Sequence, residues 1–145
     1  MTIITRKAQP EDVDCLARIF LLSRRQAFHW ENSSRFQLED FQKQTQDEAI
    51  FVADDMQGNL VGFVSVYVTN SFIHHLFVLP EYQRCGVGTL LLQSLYSWLP
   101  FPYTLKCVIK NQSALMFYRK NGWIEVSRGI GEDGEYIYGT ILGLT

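Results

Sequence analysis

The chain has 145 residues, 47% of them apolar and 14% aromatic, with a formal net charge of −2. The length suits one domain, the apolar content excludes a disordered chain, and the near-neutral charge argues against a broad nucleic-acid-binding face. No apolar run approaches the roughly 18 residues of a membrane span, and the N-terminal residues resemble no secretion signal. Cys15, Cys85 and Cys107 are widely spaced without a CxxC pair, which is typical of reduced thiols rather than disulfides or a metal site. We therefore expect one cytoplasmic domain over residues 1–145, without a metal.

The first half of the chain predicts one strand, two helices and a hairpin. Residues 3–8 favour a strand, and Pro10 with the acids after it favours the start of a helix. Apolar residues then recur at helical spacing to about Phe28. Residues 36–46 predict a shorter, more polar helix. Residues 50–68 predict a β-hairpin that turns near Gly58.

The second half predicts alternating strands and helices. Strands are expected over residues 72–79, 104–109, 123–128 and 136–142, and helices over residues 88–98 and 113–120. The resulting order, βααβββαβαββ, predicts a mixed α/β fold around one central sheet. Residues 72–79 are apolar at both odd and even positions, so this strand is expected at the centre, with helices on both faces of the sheet.

Two adjacent histidines lie in that central strand. His74 shares a face with Leu76 and Val78, and His75 lies on the opposite face if the strand is regular. Either ring is a candidate proton acceptor or an ordinary core histidine.

A glycine-containing loop joins the central strand to the next helix. It reads Gln83-Arg84-Cys85-Gly86-Val87-Gly88. Glycines at a strand-to-helix turn expose backbone N–H groups that can cradle phosphate oxygens. The loop lacks the Gly-Lys-Ser/Thr of a P-loop, and Leu91 stands where a dinucleotide-binding GxGxxG loop needs glycine.

Two sequence blocks resemble the GCN5-related N-acetyltransferase (GNAT) family. The loop matches that family's Q/R-x-x-G-x-G/A acyl-CoA motif. About 25 residues later, the segment from Asn111 to Trp123 matches N-x-x-A-x-x-F-Y-x-x-x-G-F except at its last position, where Trp123 replaces phenylalanine. Both blocks have the expected strand and helix context, so the chain resembles this family most specifically over residues 49–124.

The resemblance implies a binding site for acetyl-CoA. In the family the sheet splays between its fourth and fifth strands, here those ending at Val78 and Ile109, and the pantetheine arm lies in the split. The arm would contact the strand backbone at Leu76, Phe77 and Val78, as an added strand would. The pyrophosphate would lie on the loop formed by Gln83, Arg84, Cys85, Gly86, Val87, Gly88 and Thr89. Asn111 would contact the arm, or cap the following helix, or do both.

The resemblance also implies roles in catalysis. Tyr118 corresponds to the family's general acid, which returns a proton to the departing CoA thiolate. Its alternative role is that of a core aromatic residue. His74 is the first candidate for the general base that removes a proton from the amine, because some family members use a histidine at this offset. His75 is a weaker candidate and Glu31 a distant third.

For the acceptor, the resemblance points to the loop around Phe28, Trp30 and Glu31 and to the acidic turn at residues 132–135. Trp30 would form an apolar wall and the acids would attract a cationic amine. The alternative is a core Trp30 and a simple exposed turn. We therefore expect direct acetyl transfer to a primary amine of a small molecule, with no nucleic-acid or membrane partner. A protein N-terminus or lysine as acceptor, a catalytically silent acyl-CoA-binding module and a homodimer remain open alternatives.

Overall fold

A computed structural model describes residues 2–143 of the chain. The strands are β1 (Ile4–Lys7), β2 (Ala49–Asp54), β3 (Leu60–Tyr67), β4 (Phe72–Val78), β5 (Tyr103–Val108), β6 (Trp123–Gly131) and β7 (Gly134–Ile141). The α-helices are α1 (Val13–Ala27), α2 (Asp40–Gln44), α3 (Val87–Gln93) and α4 (Gln112–Lys120). Within residues 2–143 no helix is both long and apolar enough to cross a membrane.

All seven strands form one sheet in the order β1-β2-β3-β4-β5-β7-β6. Neighbours are antiparallel except β4 and β5, which run parallel and pair at a single position, Phe72 with Thr104. Beyond that pair the two strands diverge toward their carboxyl ends. The predicted mixed α/β fold and the splay between the fourth and fifth strands are therefore confirmed.

Helices cover both faces of the sheet and create two apolar cores. One core joins α1 and α2 to the sheet through Phe20, Phe41 and Phe63. The other packs α3 and α4 against the opposite face through side chains such as Leu91 and Leu115. Covering both faces explains why β4 is apolar at both odd and even positions.

Several element bounds differ from those predicted. Helix α2 begins at Asp40 rather than residue 36, and the Asp40 carboxylate accepts a hydrogen bond from the Gln37 backbone N–H at 2.9 Å, which fixes the turn before the helix. Helix α3 ends at Gln93 instead of Trp98, and turns lead from there to Pro100. Strands β6 and β7 extend toward each other as a hairpin around Glu132 and Asp133.

A β-bulge alters the expected direction of the two histidines. His75 pairs with Ser65, but the next pair along β3 joins Val66 to Ile73, which leaves His74 as the extra residue. A bulge interrupts the alternation of side chains across a strand. The His74 and His75 rings consequently stack with centroids 3.8 Å apart. The prediction that they lie on opposite faces was wrong.

Candidate active site

Two adjoining cavities follow the splay between β4 and β5. The larger, of about 1060 Å³, lies beside the loop before α3 and is called the large groove. The smaller, of about 600 Å³, lies between α1, the histidines and the β6–β7 turn and is called the small pocket. They share the lining residues Leu76, Phe77, Asn111, Ala114 and Tyr118. A long ligand in the large groove can therefore present one end to the small pocket at Tyr118.

The glycine loop forms one wall of the large groove. Gly86 has φ +80°, and a Cβ built there would meet no atom within 4 Å, so it would point into open space. Gly88 permits a close approach of α3 to α4, because its Cβ would lie 3.0 Å from Phe117 Cε1. The loop is fixed to the end of β4 by the Gln83 side-chain amide, which donates to the Val78 carbonyl at 3.1 Å.

The opposite wall of the large groove is the start of α4. Asn111 caps this helix, since its side-chain oxygen accepts a hydrogen bond from the Ala114 backbone N–H at 3.3 Å. It also lines both cavities. The side chains of four basic residues surround the groove: Arg84, Lys110, Arg119 and Lys120. This wall therefore combines a positive charge with a fixed polar side chain.

Tyr118 is buried where the two cavities meet. Its ring packs edge-on against Phe117, with centroids 5.2 Å apart, and its hydroxyl has no hydrogen-bond partner among residues 2–143. Burial raises the pKa of Tyr118 well above its usual value, and the neighbouring Cys107 raises it further. The phenol therefore stays protonated at neutral pH and can only donate or share its proton.

The histidines lie in the small pocket beside a buried acid that sequence reasoning missed. The Nδ1 atom of His74 lies 2.5 Å from Glu48 Oε2, and the Glu48 side chain is 0% exposed. Burial lowers the pKa of His75 well below its usual value, and the charges of His74 and Arg24 lower it further, so His75 is neutral. Glu48 precedes β2 in a polar stretch without a motif, so only the strand pairing reveals its position.

Charged side chains at the rim of the small pocket are largely paired with one another. Arg35 bridges Glu31 at 3.1 Å and Asp133 at 2.8 Å, and so connects the loop after α1 to the β6–β7 turn. Arg24 is buried against the Phe20 ring and pairs with Asp40 at 3.0 Å. Glu31 and Asp133, two of the acids predicted to face an amine, are therefore engaged by Arg35.

Of the aromatic and acidic residues predicted to line the acceptor site, only some face a cavity. Phe28 lines the small pocket, whereas Trp30 and Glu31 line neither cavity. The Trp30 ring packs against Phe28, with centroids 5.5 Å apart, and faces the Lys110 ammonium. Trp30 therefore packs against a residue that lines the small pocket without lining the pocket itself. Cys85 is exposed and also lies outside both linings.

The profile of the Acetyltransferase (GNAT) family matches residues 16–123. The chain belongs to the GNAT family. The family's members are acyltransferases, and the matched range contains the glycine loop, the histidines and Tyr118. No curated protein matches the sequence.

Several solved structures share this fold. YjaB from Escherichia coli, solved in its apo form, has a TM-score of 0.81 at 23% identity, covering 99% of this chain and 100% of that one. A GCN5-related N-acetyltransferase from Rhodopseudomonas palustris gives 0.80 at 23% identity, covering 98% and 96%. The PaiA N-acetyltransferase from Thermoplasma acidophilum, solved with coenzyme A, gives 0.77 at 18% identity, covering 96% and 98%. The GNAT fold thus extends over nearly the whole chain.

Proposed function

We propose that this GNAT protein uses acetyl-CoA to acetylate a primary amine of a small molecule by direct transfer. The observation that carries the proposal is the junction of the two cavities at Tyr118. One cavity has the shape and charge for a long anionic cofactor, and the other holds histidines able to accept a proton. A reaction between two bound molecules needs their reacting groups held together at one point.

The large groove fits the phosphates and the pantetheine arm of acetyl-CoA. Beyond the Phe72–Thr104 pair, no strand within residues 2–143 pairs with β4 on its β5 side, so the backbone of Leu76, Phe77 and Val78 is available to bind an extended arm. The loop over residues 83–89 offers backbone N–H groups and Arg84 to phosphate oxygens. When bound there, acetyl-CoA supplies an activated thioester carbonyl.

His74 serves as the general base in this proposal, and Glu48 positions it. When Nδ1–H of His74 donates to the buried Glu48 carboxylate, the lone pair of the ring lies on Nε2. An ammonium group has no lone pair, so an amine acceptor must lose a proton before it attacks. Nε2 of His74 accepts that proton, and the carboxylate stabilises the imidazolium that results.

Tyr118 serves as the general acid for the departing thiolate. Burial favours the neutral phenol over the phenolate, and the same apolar surroundings favour a neutral thiol over a thiolate. Because the same surroundings raise both pKa values, the tyrosine can still transfer its proton to the CoA thiolate. The phenol donates its proton toward the large groove, where the thiol is released.

The dimensions of the small pocket favour a small acceptor. Its volume of about 600 Å³ lies within the usual range for small-molecule sites, roughly 300–1,000 Å³. Arg35 connects the loop after α1 to the β6–β7 turn at the rim. A protein terminus or lysine would have to enter past these paired charges.

Two glycine variants with equal backbone strain test the cofactor site. Gly86 and Gly58 both have positive φ, +80° and +91°, and neither has an atom within 4 Å of a built Cβ. Alanine at either position should cost about 1–2 kcal/mol of stability. Only Gly86→Ala places a methyl group in the large groove, so we expect it to weaken acetyl-CoA binding about tenfold or more, measured by calorimetric titration. Equal affinity in both variants would contradict the proposed phosphate site.

Catalysis is tested by measuring CoA thiol release with a panel of amines that includes small molecules and peptides. We expect amine-dependent release with at least one small amine. Release with peptides alone would move the acceptor to proteins. Acetyl-CoA binding without release from any amine would indicate a silent acyl-CoA-binding module.

A further inference from the structure

Three potential metal ligands converge at the inner wall of the small pocket. Glu48, His74 and His75, called here the Glu-His-His cluster, each offer one ligand atom, and these atoms all lie within 4.8 Å of one another. The bulge in β4 makes this possible, because it brings two consecutive histidine rings to the same side of the strand. Cysteine spacing in the sequence gives no sign of such a site.

The cluster contains buried polar atoms that residues 2–143 leave without partners. Oε2 of Glu48 contacts His74, but Oε1 of the same carboxyl is buried without a hydrogen-bond partner among the described residues. Nε2 of His75 is also buried, and no residue within 2–143 hydrogen-bonds to it. Leaving a buried polar atom unpaired destabilises the fold, so a bound cation that these atoms ligate would relieve that penalty. The nearby cation Arg24 is itself paired with Asp40, so it does not neutralise Glu48.

We propose that the Glu-His-His cluster binds a divalent transition-metal ion of the Zn²⁺ type. Imidazole nitrogen and carboxylate oxygen are preferred ligands of such ions, whereas Ca²⁺ and Mg²⁺ prefer oxygen alone. With bonds of about 2.1 Å, the ligands of a tetrahedral ion lie about 3.4 Å apart, and the three ligand atoms of the cluster already lie within 4.8 Å of one another.

The consequence for activity rests on the proposed function. A metal ion on His74 removes the base from the reaction, so Zn²⁺ should inhibit acetyl transfer at least tenfold, and a chelator should restore it. Metal binding itself does not depend on His74 being the base. The two claims can therefore fail separately.

The direct test uses the intact wild-type protein and proton NMR of its imidazoles during a Co²⁺ titration. The chain has only three histidines, and His29 is exposed in the wall of the large groove. We expect less than one equivalent of Co²⁺ to broaden the His74 and His75 signals while the His29 signal stays sharp. Broadening of His29 first, or of no histidine, would overturn the proposal.

Matched variants identify the ligands by equilibrium dialysis with Zn²⁺. His75→Phe keeps an aromatic ring among Phe20 and Phe77, which pack around it, but removes the nitrogen. We expect about one bound ion in wild type and His29→Gln, and at least a tenfold loss of affinity in His75→Phe. A Cys85→Ser variant that loses the ion would assign binding to the thiol and refute the cluster. Metal binding without inhibition would support the metal site and would exclude His74 as the base.

Discussion

Replacing Tyr118 with phenylalanine removes one hydroxyl at the junction of the two cavities and little else. The ring is buried, and its hydroxyl has no hydrogen-bond partner among the described residues. The change therefore breaks no bond within the described part of the fold, and we expect the free energy of unfolding to change by less than about 1 kcal/mol. Binding of acetyl-CoA should persist.

The same substitution should greatly reduce the rate of turnover. A positioned general acid contributes about 10²–10⁴-fold to rate, equivalent to about 3–5 kcal/mol of activation free energy. We expect kcat for CoA release to fall by that factor in Tyr118→Phe. Because burial raises the pKa of Tyr118, the wild-type phenol stays protonated, and wild-type activity should show no loss from its ionisation below pH about 10.

The assay is continuous detection of the CoA thiol at saturating acetyl-CoA and amine, with binding measured in parallel. Tyr138→Phe is the matched control, since Tyr138 lines neither cavity, and its turnover should equal that of wild type. Unaltered turnover in Tyr118→Phe with normal binding would refute the general-acid role and leave the fold assignment intact.

Three further predictions concern the base and two buried or paired ionisable groups. Glu48→Gln replaces a charge-assisted hydrogen bond to His74 with a neutral one, so kcat should fall about tenfold. His74→Gln removes the proposed base and should lower kcat about 10²–10⁴-fold. A kcat unchanged in both variants would show that neither His74 nor Glu48 takes part in proton removal. Hydrogen bonds from Arg6 lower the pKa of Asp12, so its stabilisation is fully present above the unfolded-state pKa of about 3.9 and is lost as the pH falls through the lower native pKa. Asp12→Asn should cost about 1 kcal/mol at pH 7, and urea unfolding should show the stabilities of the two proteins converging as the pH is lowered from about 3.9. Burial raises the pKa of the Cys107 thiol from 9.0 to about 12, so above pH 9 the unfolded chain ionises first and stability declines. Cys107→Val should remove that part of the decline, up to about 1.4 kcal/mol per pH unit, and parallel curves for both proteins would contradict the burial argument.

The parts of the site that lie in contiguous segments were predictable from the sequence. The glycine loop and the Asn111–Trp123 block each carry their residue types at fixed spacing, and the strand and helix around them follow from local apolar periodicity. The resemblance of the second block to the family identified Tyr118, either as the general acid or as a core aromatic residue. Fold class and family followed from these segments because local patterns and overall topology agree.

The parts that depend on long-range pairing were not predictable. Glu48 meets His74 across 26 positions of sequence, and only the register between β2, β3 and β4 brings them together. The bulge opposite Ser65 and Val66 leaves no mark in the sequence of β4, so regular alternation separated the two histidines wrongly. Arg35 pairs with Glu31 and Asp133 from a loop whose path depends on packing with α1.

The most direct test of the proposed reaction is CoA release by the purified protein with acetyl-CoA and a panel of small amines, compared with Tyr118→Phe. The account predicts amine-dependent release in wild type that falls at least a hundredfold in the variant, together with thermal stabilisation of both proteins by acetyl-CoA. Absence of release with every amine, and of stabilisation by acetyl-CoA, would contradict it.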